Sequence, residues 1–191
     1  MSDQWAQMTN KQLFKPWSLN PIDWLLHEQS VLDDSEAIKT LDRIYSYNGR
    51  VIKRHFTVSA VDVNTGEYVP MTEKNTPFDN LAQSCMSSAS IPGVFPPQQL
   101  NGYVFMDGGT VWNLNLNTAV QQCLDDGFTS ENIIVDVAIC GYTSFPETDI
   151  EKNSMKNWQT ARSVRDYYLN SNSLWEQAKA YPGINMRYNF Q

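Results

Sequence analysis

The sequence predicts a mixed α/β domain in which helices cover a mostly parallel sheet. Apolar residues recur at helical spacing from Phe78 to Ala89 and again from Leu116 to Leu124, where Gly127 closes the second helix. Two apolar runs, Tyr103–Met106 and Ile133–Ile139, are typical of strands. Because strand, helix and strand follow one another here, the connection rules favour parallel strands wrapped by helices.

The segment before these elements predicts a helix and a hairpin. Residues Ser35–Tyr45 carry apolar side chains at helical spacing. Arg54–Val63 and Glu67–Met71 are predicted strands joined by a tight turn at residues 64–66. Pro70 cannot donate a backbone hydrogen bond, so the second strand is expected at a sheet edge.

The helix of residues 78–89 has a recognisable beginning and a polar side. Thr76 is expected to cap it, with Pro77 at the first helical position. The serines between Ser84 and Ser90 are expected on its polar face, away from the apolar one. Pro92-Gly93 ends the helical stretch.

The two ends of the chain complete the predicted organisation as one domain of residues 1–191. Residues 1–34 are rich in Trp but follow no clear period, and form a poorly defined segment. Ile133–Ile139 is expected to be a strand buried on both faces. Residues 141–191 are expected to hold a helix over Asn157–Ala180, broken near Asn170–Ser173, and a last strand over Ile184–Phe190.

Composition narrows the classes of function. The chain has 191 residues, a net charge of -7 and a pI of about 4.7, which disfavours nucleic-acid binding. No apolar run reaches the about 18–20 residues of a membrane span, and no signal peptide is visible. Cys85, Cys123 and Cys140 are expected to be free thiols. We expect a cytoplasmic protein, either free or peripheral at membranes.

The most informative motif is Ser90-Ile91-Pro92-Gly93-Val94-Phe95-Pro96-Pro97, followed by Met106-Asp107-Gly108-Gly109. This pair of motifs resembles the patatin-like phospholipase family, and residues 35–140 carry the resemblance best. Thr57–Val63 with its Thr65-Gly66-Glu67 turn is similar to a strand and turn of that family. The resemblance implies a three-layer α/β sandwich, incomplete on its N-terminal side, and an acyl lipid substrate met at a membrane or lipid-droplet surface.

The resemblance also implies a catalytic role for Asp107 as the base of a Ser–Asp dyad. The residues themselves give independent support, since a carboxylate at a strand end faces the crevice where α/β sheets bind ligands. Gly108 and Gly109 permit a sharp turn after it. The alternative is a plain Asp-Gly turn. A phosphatase loop is rejected because Phe105 occupies the position of its nucleophilic Asp.

The family's nucleophile motif, Gly-x-Ser-x-Gly, and its Gly-rich oxyanion loop do not occur among the 191 residues. One interpretation is a fragment or truncated reading frame of a lipid acyl hydrolase, with the serine encoded before Met1. A second is a short product that binds lipid or a partner without chemistry. A third is an α/β interaction domain. The sequence shows no metal or cofactor motif, and none is expected; His27 and His55 need no catalytic role.

Overall fold

In the computed structural model, the described residues are 8–9, 13–16, 29–47, 49–138 and 153–190. The chain divides into two compact units, Met1–Val111 and Trp112–Gln191. The predicted mixed α/β class is confirmed, because helices and strands alternate through both units. The expectation that all 191 residues form one domain stays a prediction.

The first unit holds the predicted helices and hairpin in the expected order. Its described elements are β1 (Lys15–Pro16), β2 (Leu32–Asp33), α1 (Ser35–Ser46), β3 (Thr57–Asp62), β4 (Tyr68–Thr72), α2 (Phe78–Ala89), β5 (Gln98–Leu100) and β6 (Tyr103–Asp107). A single 3₁₀ turn, Gly108–Thr110, follows β6 directly.

The second unit is built from two helices and a strand pair. Its described elements are α3 (Leu116–Asp125), the 3₁₀ turn Ser130–Asn132, β7 (Ile134–Ala138), α4 (Ser154–Ala180) and β8 (Asn185–Phe190). Gly127, at φ +91°, lies just beyond α3 and closes it as predicted.

The strand directions differ from the mostly parallel sheet that the sequence suggested. In the first unit the strand order is β4-β3-β6-β5, and every neighbouring pair is antiparallel. The β3–β4 and β5–β6 pairs are hairpins, whose short turns can join only antiparallel strands. The β3–β6 pair joins strands distant in the chain, and its direction follows from no local sequence signal. The described parallel pair is β7 with β8. Pro70 lies on β4, an edge strand of this sheet, as predicted.

One buried carboxylate, that of Asp62, ties the hairpin turn to the centre of the sheet. It accepts hydrogen bonds from the Thr65 hydroxyl at 2.8 Å and from the Val104 amide at 3.3 Å. Because Thr65 lies in the β3–β4 turn and Val104 lies on β6, a single side chain fixes both neighbours of β3. The β3–β6 register that places the candidate site is thereby reinforced.

Helix α2 is buried on two sides, which corrects the prediction for its serines. Its Ala82 and Met86 pack against α1, and another side contacts β3 and β6. Ser84, Ser87 and Ser90 are consequently buried rather than exposed on a polar face. The small serine side chain lets the helix backbone approach its neighbours closely, which apolar periodicity alone does not reveal.

The start of α2 also differs from the prediction. The helix begins at Phe78, and the residue before it, Pro77, makes no side-chain capping bond. The hydroxyl of Thr76, the predicted cap, donates to Asn75 Oδ1 at 3.1 Å. A local hydrogen bond in the preceding turn has therefore replaced the capping bond.

Strand β7 in the second unit is not the doubly buried strand that was expected. Ile134, Asp136 and Ala138 are exposed, while Val137 is buried. Asp136 forms a bidentate ion pair with Arg187 on the neighbouring β8. A polar pair on one face of a two-stranded ribbon keeps that face in water.

Helix α4 runs without the predicted break near residues 170–173. The Asn and Ser residues there cost a helix only about 0.5 kcal/mol each relative to Ala, too little to interrupt it. Gln177, buried near its end, donates to the Leu114 carbonyl at 2.8 Å and accepts from the Leu116 amide at 3.0 Å. This side chain anchors the C-terminal part of α4 to the start of α3.

None of the described helices is both long and apolar enough to cross a membrane.

A buried acid at the start of α1 makes stability depend on pH. Asp34 is 3% exposed, and its carbonyl accepts from the Ala37 amide at 2.9 Å. Its carboxylate accepts from the Gln98 amide group at 2.8 Å. Burial raises the pKa of Asp34 to about 6, and a backbone hydrogen bond to the carboxylate offsets this rise only in part.

We expect Asp34→Asn to remove this pH dependence. With its pKa raised in the fold, the Asp34 carboxyl stabilises the protein below the unfolded pKa and loses that contribution as pH rises from about 4 to about 6. As pH rises through this window, the free energy of unfolding of the variant, relative to that of the wild type, should increase by up to about 3 kcal/mol. Urea titrations at pH 4 and pH 7 measure the difference; a gap that is equal at both pH values contradicts it.

Candidate functional site

Strand β6, an inner strand of the four-stranded sheet, carries Asp107 at its end. Asp107 is the last residue of β6 and lies opposite Ala60 of β3. Its amide donates to the Ser90 carbonyl at 3.0 Å, so the end of α2 and the end of β6 meet at this residue. Both sequence motifs that suggested a site are thus brought together.

The two oxygens of the Asp107 carboxylate have different surroundings. Oδ1 accepts from the Gly109 amide at 2.6 Å and caps the 3₁₀ turn that follows. Oδ2 has no hydrogen-bond partner among the described residues. The carboxylate is therefore oriented through one oxygen, and the second oxygen is available to accept a proton.

Burial raises the pKa of Asp107 above that of a free aspartate, and the Gly109 hydrogen bond opposes this rise only in part. A half-buried carboxylate loses water that would stabilise its charge, so it holds a proton more strongly. Such a shift moves an aspartate toward the basicity that a general base requires at neutral pH.

Gly108 is required by the packing of the turn against β3. A Cβ atom at this position would lie 2.2 Å from the Ser59 carbonyl oxygen and 2.9 Å from its carbon. Real Cβ atoms do not approach a backbone so closely, so only glycine fits without moving β3 or the turn. Gly109 has the separate role of donating its amide to Asp107.

Tyr68 on β4 and Ser59 on β3 belong to the same region, and sequence reasoning did not find them. The Tyr68 side chain is hydrogen-bonded to that of Ser59. The pKa of Tyr68 is raised, first by burial and further by the negative charge of Asp107. No motif marks these residues; only the observed strand register places them near the Asp.

The loop after α2, which begins at the residue bonded to Asp107, exposes apolar side chains. Ile91 and Val94 are exposed, and Ile91 directly follows the residue whose carbonyl binds Asp107. Backbone hydrogen bonds from Val31 and Leu32 to the Gly93 and Val94 carbonyls hold the loop in place. An oriented carboxylate is therefore linked through its own backbone to the start of a loop with exposed apolar side chains.

The serines of α2 are not arranged as nucleophiles. The hydroxyl of Ser90 donates to the Met86 carbonyl at 2.7 Å, and that of Ser87 donates to the Gln83 carbonyl at 2.9 Å. Ser84 is fully buried within the helix packing. Among the described residues, none of these hydroxyls is bonded to Asp107.

The histidines and metal-binding side chains do not add to the site. His55 pairs with Glu73 at 2.5 Å on the hairpin, and His27 lies outside the described residues. Cys85 and Cys123 are free, and Cys140 lies outside the described part of the chain. Within that part, no group of three or more His, Cys, Asp or Glu side chains is placed to hold a metal ion.

The chain matches a known protein family. The family model for patatin-like phospholipases matches residues 3–120, more than half of the chain. This chain belongs to the patatin-like phospholipase family. Membership assigns it, at the level of the family, to lipid hydrolases acting on lipid substrates. No curated protein matches the sequence.

The family match confirms the resemblance inferred from the two motifs. It includes the loop of residues 90–97, Asp107 and both glycines that follow, so the described site lies within it. It starts earlier and ends earlier than residues 35–140, where the patatin-like pattern was read from the sequence. Much of the Trp-rich first segment is therefore part of the family pattern.

Because Gly108 packs closely against β3, we expect a methyl group added at this position to destabilise the protein. Gly108→Ala should lower the free energy of unfolding by about 1–3 kcal/mol, as overpacking against fixed backbone does. Gly66→Asn is the matched control, because Gly66 has open space around it and Asn tolerates its φ of +74°. Urea unfolding of both variants measures the effect; equal stabilities would contradict the close approach to Ser59.

Proposed function

We propose that this chain supplies the general base of a patatin-like lipid acyl hydrolase that uses a Ser–Asp dyad, with Asp107 as that base. The observation that carries the proposal is the asymmetry of the carboxylate. Oδ1 is held by the Gly109 amide while Oδ2 has no described partner, and burial raises the pKa of the group. An oriented, weakly solvated carboxylate suits proton transfer without a histidine.

The proposed reaction has two stages. Asp107 Oδ2 accepts the proton of the serine hydroxyl as the serine oxygen bonds to the ester carbonyl carbon. Asp107 then returns the proton to the departing alcohol, which leaves an acyl-serine. Water repeats the sequence and releases the fatty acid, with Asp107 accepting the proton from water and returning it to serine.

The apolar loop supports an acyl lipid as the substrate. Ile91 and Val94 expose aliphatic side chains in the loop that begins at Ser90, whose carbonyl binds the Asp107 amide. An acyl chain lying along these residues would remove apolar surface from water. We propose that the reaction takes place at a cytoplasmic membrane or lipid-droplet surface, where such chains are concentrated.

The nucleophile must come from outside these 191 residues, because no Gly-x-Ser-x-Gly occurs among them. The buried serines of α2 do not offer a substitute, since Ser87 and Ser90 donate to helix carbonyls. Without a nucleophile-bearing segment, the same fold would bind lipid or a partner without chemistry. That is the competing function.

We expect the isolated chain to show no measurable turnover of a short-chain nitrophenyl ester, since loss of a serine nucleophile typically costs about 10⁶-fold in rate. Turnover by the isolated chain that Asp107→Asn abolishes would contradict the proposed lack of a nucleophile. The measurement is the rate of ester hydrolysis by the purified chain and by its Asp107→Asn variant.

The role of Asp107 is tested in a product whose reading frame also encodes Gly-x-Ser-x-Gly before residue 1. There Asp107→Asn should lower kcat by about 10²–10⁴-fold. An asparagine oxygen still accepts from the Gly109 amide, so the turn persists while the base is lost. The control is Asp125→Asn, an exposed acid bonded to Gln121 at the end of α3. Full activity of the Asp107→Asn variant would make Asp107 a turn residue only; absence of any such reading frame would favour the competing function.

A further inference from the structure

The loop of residues 90–97 is tied to the segment that precedes α1. The Val31 amide donates to the Gly93 carbonyl at 3.2 Å. The Leu32 amide donates to the Val94 carbonyl at 3.0 Å. Two backbone hydrogen bonds therefore join this loop to a distant part of the chain, and they break if the loop moves away.

Side-chain contacts reinforce these backbone bonds at the end of the loop. The Gln98 side-chain amide donates to Asp34 Oδ2 at 2.8 Å and to the Pro96 carbonyl at 3.1 Å. The Gln98 and Asp34 side chains are buried. The Phe95 ring packs on the Phe14 ring, with 4.8 Å between the ring centres. One amide group thus bridges the acid before α1 and the backbone of the loop, and we call Asp34, Gln98 and the Pro96 carbonyl the latch.

The surroundings of Asp34 disfavour a negative charge within the latch. Burial raises the pKa of Asp34 to about 6, a backbone hydrogen bond opposes this rise in part, and the negative charge of Asp33 adds to it. Glu36, in the first turn of α1, is paired with Lys15 and Lys39 at 3.1 Å each. The loop and β5 contain no charged residue. An ionised Asp34 therefore gains free energy when the latch opens and water surrounds the carboxylate.

We propose that Asp34 and Gln98 are positioning residues that hold the loop of residues 90–97 while Asp34 is protonated and release it when Asp34 is ionised. In the closed latch, the neutral carboxyl group and the Pro96 carbonyl share the Gln98 amide. In the open latch, the proton has passed to water, the carboxylate is hydrated, and the two backbone bonds to the loop are broken. Opening is therefore favoured as pH rises.

Release of the loop bears on the proposed site. Ser90, the first residue of the loop, accepts from the Asp107 amide, and Ile91 and Val94 are the exposed side chains proposed to contact an acyl chain. The loop would be fixed in mild acid and more mobile at neutral pH. This consequence for lipid hydrolysis rests on the proposed function, whereas the latch itself can be measured in the chain without any reaction.

The competing explanation is that these contacts are only part of the core. In that case they break when the whole unit unfolds and at no other time. Global unfolding also exposes Asp34, so a pH dependence alone does not separate the two explanations. The urea dependence separates them, because local opening exposes much less surface than global unfolding.

The test is amide hydrogen exchange of the full chain by NMR between pH 4 and pH 7, followed at the Val31 and Leu32 amides. Each rate is divided by the rate of an unstructured peptide at the same pH, which leaves the equilibrium constant for opening. This constant should rise about 50-fold from pH 4 to pH 7, since the pKa of Asp34 is about 6 in the closed latch and about 3.9 in water. Both amides should show less than half of the urea dependence of global unfolding.

Three variants locate the effect. Asp34→Asn keeps an oxygen for the Gln98 amide but carries no charge, so its opening constant should change by less than twofold across this pH range. Asp42→Asn is the matched control, because Asp42 is an acid of the same helix that pairs with Arg50 at 3.6 Å, and it should keep the rise of the wild type. Gln98→Met removes two hydrogen bonds at similar side-chain size and should raise opening at pH 4 by about tenfold or more.

Two results would overturn the proposal. One is the same pH dependence in the wild type and in Asp34→Asn. The other is exchange of both amides with the full urea dependence of global unfolding, which would make the latch a structural contact only. Asp107→Asn should leave the opening constants unchanged, so a failure of the proposed base and a failure of the latch give different results. If Gln98→Met does not fold, the comparison of Asp34→Asn with Asp42→Asn still decides.

Discussion

The contact between Gly108 and the Ser59 carbonyl is the constraint on which the site depends. Strands β3 and β6 are paired up to Ala60 and Asp107, and the residue after β6, Gly108, turns away against the β3 backbone. A side chain at Gly108 would separate the two strands at this point. Because the turn is tight, the Asp107 carboxylate folds back onto the Gly109 amide and is held at the end of β6. Packing of one backbone on another thus fixes the orientation of the Asp107 carboxylate.

The sequence left two interpretations of Asp107 open, a turn residue and a catalytic base, and this arrangement is compatible with both. The residue is a turn residue, since Oδ1 caps the 3₁₀ turn. It also keeps a second oxygen without a described partner, in surroundings that raise the pKa of the carboxyl group. A turn that uses one oxygen orients the other, and orientation is what a general base requires. The structural role therefore supports the proposed catalytic role.

The sequence predicted the parts of the fold that depend on local pattern. The period of α1, the hairpin turn after Asp62 and the glycine that closes α3 are local signals. The motif around Asp107 pointed to the family through residues adjacent in the chain. What it could not show depends on contacts between distant segments. Strand direction, the burial of the α2 serines and the proximity of Tyr68 to Asp107 follow from which elements pack together.

The most direct test of the account is a carboxyl-carbon NMR titration of Asp107 in the intact chain, assigned with Asp107→Asn. The account predicts a pKa above the usual value for aspartate of about 3.9. It also predicts that the Gly109 amide proton shift follows the same titration, because that amide donates to Oδ1. A pKa at or below the usual value, or a Gly109 amide that does not respond, would contradict the claim that Asp107 is held as a base at the end of β6.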